Sequence, residues 1–197
     1  MNVPNTLSLI RIGIVPVFIV IFYIKAPWTN EVLTILFVAA GLTDWLDGYL
    51  ARRLRQTSAF GAFLDPVADK LMVAAALVVL VQADPRPHIA IIAIIIIGRE
   101  IAVSALREWM AELGQRSRVR VAFLGKFKTV MQMVSISLLL YRDDIGGFAI
   151  YDFGLVCLYV AAALTLWSMV DYLRAAWPMM GMDVPEGQTD HRRPDDG

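Results

Sequence analysis

Asp44-Trp45-Leu46-Asp47-Gly48-Tyr49-Leu50-Ala51-Arg52 and, after eight intervening residues, Gly61-Ala62-Phe63-Leu64-Asp65-Pro66-Val67-Ala68-Asp69 set four carboxylates among the apolar stretches of this chain. An acidic side chain near a bilayer midplane costs about 2.5–3.5 kcal/mol, so four in one short stretch point to a bound cation. If the first run is helical, Asp44, Asp47, Gly48 and Ala51 share one face. Gly61, Asp65 and Asp69 recur every fourth residue and form a stripe on the next helix. Two facing helices then bring four carboxylates together. Carboxylates without a nearby histidine or cysteine suit Mg²⁺ or Mn²⁺ rather than zinc. Pro66 bends a helix if it lies in the interior and is harmless in a first turn.

Around this stretch the sequence reads as a membrane protein. Of 197 residues, 58% are hydrophobic, more than a soluble domain carries. Apolar segments long enough for a hydrocarbon core of about 30 Å run near Leu7–Ile24, Val32–Leu54, Ala59–Val81, Ile89–Met110, Lys128–Tyr141 with some extension, and Phe153–Leu173. Helices satisfy every backbone polar group within such a segment, and no barrel-like alternation is visible. The expected fold is an all-α integral membrane bundle of about six transmembrane helices. Residues 1–180 form its one domain, and the polar tail 181–197 is expected to be disordered.

Arg52, Arg53 and Arg55 stand between the second and third segments; Arg116, Arg118, Arg120, Lys126 and Lys128 stand between the fourth and fifth. The alternate connections carry only Lys25, Arg86 and Arg142. The positive-inside rule then places both termini and the carboxylate end in the cytoplasm, in a multi-pass protein of the inner membrane. No basic residue precedes Arg11 and no small-residue cleavage pattern follows Tyr23, so the first helix is expected to stay uncleaved. Cys157 is the single cysteine and reads as a buried thiol. Trp28, Trp109, Trp167 and Trp177 fall near segment ends, as headgroup-level anchors or as packing residues.

The spacing D-x-x-D-G-x-x-A-R followed by G-x-x-x-D-x-x-x-D resembles the signature of the CDP-alcohol phosphatidyltransferases, with every position present. The likeness extends over most of the chain. Pro4-Asn5-Thr6-Leu7, Gly98-Arg99-Glu100-Ile101, Arg107-Glu108-Trp109-Met110 and Gly125-Lys126-Phe127-Lys128-Thr129 resemble the branch of that family whose acceptor is glycerol 3-phosphate. The resemblance implies an enzyme: the acceptor hydroxyl attacks the lipid-bearing phosphate of CDP-diacylglycerol, phosphatidylglycerophosphate forms and CMP leaves. It also implies a homodimer. Membrane lipid is the other expected partner, and no nucleic acid is expected.

Carried over, the family's roles make Asp44, Asp47 and Asp65 metal ligands, and make Asp69 both a ligand and the general base for the acceptor hydroxyl. Four acids suit two Mg²⁺ or Mn²⁺ ions sharing a diphosphate. Asp44, Gly48, Ala51, Arg52 and Gly61 are then expected at the CDP donor, the small residues giving a nucleotide clearance; helix packing is the competing use of Gly48, Ala51 and Gly61. Arg52 either contacts the nucleotide or is a solvated interfacial charge. The acceptor's dianionic phosphate needs cations, and Arg99, Arg107, Lys126, Lys128 and Thr6 are the candidates. Arg99 alternatively pairs with Glu100 or another acid. Lys126 and Lys128 are two apart, so only one can face inward, and Thr6 and Arg11 have capping and snorkelling as alternatives. A different alcohol, such as inositol phosphate, serine or phosphatidylglycerol, is the rival acceptor. A non-enzymatic cation transporter would instead string its aspartates along a path through the bilayer.

Overall fold

Among the described residues six helices form the bundle: α1 Val3–Ile24, α2 Thr29–Leu54, α3 Ala59–Ala83, α4 Pro87–Glu112, α5 Phe123–Tyr141 and α6 Ile150–Ala176. The computed structural model describes residues 3–54, 59–112, 123–144 and 146–177, with side chains described outside 3–7, 45–60, 62–63, 65, 111–126 and 175–176. The expected tail 181–197, and hence the domain boundary at 180, lie outside the described residues, as do Arg116, Arg118 and Arg120.

Local chemistry accounts for the ends. Lys25, at φ 51°, closes α1 in the left-handed conformation common just past a helix C-terminus. The Thr29 hydroxyl accepts from the Ala26 amide at 2.9 Å as α2 begins, and Glu31 complements the dipole in its first turn. Pro85 stops α3, and Pro87 opens α4 where no amide donor is needed. Between α5 and α6 the chain reverses through Arg142 at φ 64° and Gly146 and Gly147 at φ 60° and 82°, where glycine carries no Cβ penalty. Pro66 lies well inside α3, so the Ala62 carbonyl loses its helical donor there.

Each helix buries at least one large apolar side chain in a common core: Phe18, Phe37, Leu77, Ile96, Ile136 and Leu158 are each under 2% exposed. α5 packs along α6, α4 bridges α3 and α6, and α2 packs on α5. α1 packs along both α2 and α3 more extensively than those two pack on each other, which puts the polar start of α1 beside the carboxylate helices. The α2–α5 approach is close at Gly41, where a Cβ would come within 2.3 Å of the Met133 methyl.

The outer surface carries large apolar side chains on every helix. Val20, Ile35, Val78, Ile94, Val130 and Val156 are all more than half exposed, one on each helix. Contiguous apolar surface on that scale belongs against lipid. Three helices, among the described residues, are long and apolar enough to cross a membrane: Pro66–Ala83, Pro87–Met110 and Ile150–Arg174. Of the six expected crossings, these three meet the requirement by length and composition. α1 and α5 offer shorter apolar stretches, Ser8–Ile24 and Phe127–Tyr141, and the second half of α2 is interrupted by Asp44, Asp47, Arg52 and Arg53.

Candidate active site

α1, α2 and α3 converge on the carboxylates. Asp44 faces α1, where the buried Arg11 donates from Nη1 to Asp44 Oδ1 at 2.7 Å. Arg11 is 2% exposed and Asp44 44%, so the guanidinium lies within the bundle while the carboxylate keeps an open side. Asp69 on α3 lies within electrostatic range of Asp44, Arg11, Lys70 and Glu100. Arg11 and Asp69 line a small crevice of about 10 Å³ whose remaining wall is Phe37, Ala40, Gly41, Met72, Val73 and Met133, an apolar floor beneath the acidic face.

The backbones of Asp47, Gly48, Ala51 and Arg52 lie on α2 and that of Asp65 on α3, as their spacing requires, but their side chains lie outside the described residues. The same is true of Thr6 on α1 and Lys126 on α5. Gly61 is buried. Among the described residues no three acidic, histidine or cysteine side chains form a metal-sized cluster. The donors that are described, Asp44 and Asp69, are hard oxygen ligands and fit Mg²⁺ or Mn²⁺.

α4, α5 and α6 build the second half of the site. Glu100 accepts from Arg99 Nη1 at 2.9 Å and from Lys128 Nζ at 2.5 Å. Arg99 also donates to Ser168 Oγ at 2.7 Å and stands 5.7 Å from the centroid of the Tyr172 ring. Arg107 stands 5.0 Å from the same centroid and donates to the Tyr172 hydroxyl. Lys128 senses both Arg99 and Arg107. Two cations, Arg99 and Lys128, therefore share the Glu100 carboxylate, Arg107 stands within electrostatic range of Lys128, and Glu100 lies within electrostatic range of Asp69.

Arg99 forms the Glu100 pair weighed as its alternative use, and of the two lysines Lys128 is buried. Arg11 pairs across to α2 instead of snorkelling. Ser168 and Tyr172 escaped the sequence reading, although two polar side chains four residues apart in an apolar helix mark one face of α6. At the opposite end, Asp84 accepts from Arg86 Nε at 2.8 Å and from the Tyr151 hydroxyl, tying the α3–α4 turn to the start of α6.

A family model described as CDP-alcohol phosphatidyltransferase matches residues 1–167. This chain belongs to that family. Among relatives of this phosphatidyltransferase, one from Pseudomonas fluorescens, named CDP-diacylglycerol–glycerol-3-phosphate 3-phosphatidyltransferase, is 50% identical over 184 residues, 93% of this chain and 94% of its own. Proteins of the same name from Haemophilus influenzae and Yersinia pestis are 49% and 50% identical, covering 89% and 90% of this chain and 93% and 96% of their own.

Proposed function

We propose that the chain transfers the phosphatidyl group of CDP-diacylglycerol to glycerol 3-phosphate, releasing CMP and forming phosphatidylglycerophosphate in the membrane. The observation that carries this reading is that Asp69 lies within electrostatic range both of Asp44 and of Glu100, the carboxylate that holds the Arg99 and Lys128 cations, in a bundle that belongs to this family. A donor diphosphate needs acids that can share cations with it, and a dianionic acceptor phosphate needs an excess of positive charge. Both are within one electrostatic neighbourhood.

In this reading Asp44, Asp47, Asp65 and Asp69 would hold two Mg²⁺ or Mn²⁺ ions, whose chemistry there would be to neutralise diphosphate charge and acidify the acceptor hydroxyl. Gly48, Ala51 and Gly61 leave room for the nucleotide, and Arg52 pairs with its phosphates. Arg107 and Lys128 orient the acceptor phosphate, Arg99 stiffens that pocket through Glu100 and Ser168, and Thr6 and Lys126 complete its rim. Asp69 takes the proton from the acceptor hydroxyl as its oxygen bonds to the phosphatidyl phosphorus and the bond to CMP breaks. Positioning of the hydroxyl supplies most of the acceleration, because little covalent work remains for the protein.

The family resemblance and the positive-inside distribution support six crossings, cytoplasmic termini, a cytoplasmic active site and a homodimer. An acceptor panel tests the reaction: purified protein with CDP-diacylglycerol, Mg²⁺ and glycerol 3-phosphate, inositol phosphate, serine or phosphatidylglycerol, scored for lipid product. Product with glycerol 3-phosphate, abolished by chelation, is expected. Product from another alcohol in its place would reassign the acceptor.

A further inference from the structure

The outer surface carries a groove between α4 and α6, with a volume of about 300 Å³, walled by Ala102, Ala105, Leu106 and Trp109 on one side and by Met169 and Tyr172 on the other. Its residues on α4 follow the 3- and 4-residue spacing of a single helix face. From Ala102 to Trp109 the groove runs for about 10 Å, against about 15 Å for the hydrocarbon half of one leaflet. None of the carboxylate-bearing residues lines it, because α2 and α3 lie elsewhere in the bundle.

Tyr172 is the wall common to the groove and the cation cluster. Its ring lines the groove, while Arg99 and Arg107 stand over it and Arg107 takes its hydroxyl as an acceptor. Arg107 is exposed and, among the described residues, forms no ion pair, so its charge is available. We propose that the groove seats one acyl chain of an anionic phospholipid drawn from the bilayer, separate from the donor, with the lipid phosphate against Arg107. An α-helix of about 10 Å diameter is too wide for a crevice of this size, which argues against a helix of a second copy as occupant. A zwitterionic lipid fills the groove equally well but gains less at Arg107.

The site lies where bilayer lipid can enter sideways. Val103 is buried at the floor of the groove and Met110 turns into the protein, whereas Ala102 and Ala105 are exposed on the lipid-facing side of α4. A seated anionic lipid would then compete with the acceptor phosphate for Arg107, a consequence that rests on the acceptor reading above; the occupancy itself does not.

Trp109 reports on the groove directly. The full chain is reconstituted in phosphatidylcholine nanodiscs and titrated with phosphatidic acid brominated on its acyl chains, without donor, metal or acceptor. The difference between the wild-type chain and Trp109→Phe isolates the quenching of Trp109. Saturable quenching is expected, at a lipid mole fraction at least fivefold lower than for brominated phosphatidylcholine. Ala105→Phe, or Ala102→Leu if the former folds poorly, should remove the saturable part. Quenching that rises linearly and equally for both lipids would overturn the proposal in favour of bulk lipid. Absent quenching, with an Ala105→Cys variant forming disulfide-linked dimers, would overturn it in favour of a second copy; the only native cysteine, Cys157, is buried and does not confuse that readout.

Discussion

Arg11 and Asp44, 33 residues apart, meet at 2.7 Å across the α1–α2 interface, with the guanidinium buried and the carboxylate half open. The pair fixes which rotation of α2 presents its acidic face to α3. Removing Arg11 leaves Asp44 without its positive neighbour, whereas a lysine keeps the charge and loses the planar fork. Arg11→Met should therefore destabilise the protein by about 2–3 kcal/mol, toward the lower end for a broken buried pair because Asp44 retains solvent access. Thermal unfolding in detergent micelles measures it. Arg11→Lys should recover part of the loss, and equal destabilisation by Lys and Met would show that charge is irrelevant there.

Asp44→Asn, Asp47→Asn and Asp65→Asn preserve size and remove ligand charge. Each is expected to lose most activity and to weaken Mg²⁺-dependent donor binding, while inserting and folding normally. Near-normal turnover in any of the three would dissolve the proposed ligand set.

Asp69→Asn separates a base from a ligand. A proton acceptor acts in the transition state, so kcat should fall by about a hundredfold or more while CDP-diacylglycerol binding stays largely intact. Donor affinity falling as far as in Asp44→Asn would make Asp69 a ligand alone.

Glu100 holds Arg99 and Lys128 together, and Glu100→Gln leaves two buried cations facing a neutral amide. A loss of about 3–5 kcal/mol is expected, read by chemical or thermal unfolding. Arg107→Ala and Lys128→Ala should instead act on the acceptor: KM for glycerol 3-phosphate rises about tenfold or more with a smaller change in kcat, since those cations bind a phosphate that does not react. A kcat effect with unchanged KM would move the acceptor phosphate elsewhere.

At the far end, the hydrogen bond from Arg86, followed in weight by the Tyr151 hydroxyl, holds the Asp84 carboxyl down at about 2, below the usual 3.8. A depressed folded pKa means the clasp contributes fully above about pH 4 and its contribution fades as pH falls toward 2. Asp84→Asn should abolish that acid sensitivity in the mobility of the α3–α4 turn, followed by limited proteolysis between pH 5 and 2.5. An unchanged profile would exclude Asp84 as its source. Reporter fusions near Asp84 and after Gly114 should fall on opposite sides of the membrane.

The number of helices and their approximate spans were legible because apolar runs and their breaks are local properties. Val32–Leu54 became Thr29–Leu54, and Phe153–Leu173 became Ile150–Ala176. Helices outlast their apolar cores, since polar residues at either end still close backbone hydrogen bonds. α2 is not among the helices that qualify as membrane spans by length and composition, because its carboxylates and arginines interrupt the apolar run that length alone suggested.

By itself, the sequence determined an all-helical, lipid-embedded chain and the spacing that sets its aspartates on two helix faces, because helical periodicity converts spacing directly into direction. The tertiary structure decided who meets whom: Arg11 with Asp44, Lys128 and Arg99 with Glu100, and Arg107 with Tyr172. Those partners are separated by 33, 28, 1 and 65 residues. All but the adjacent Arg99–Glu100 pair depend on how helices rotate and pack, which no local pattern specifies; even that pair gains its meaning from Lys128, brought from another helix to the same carboxylate.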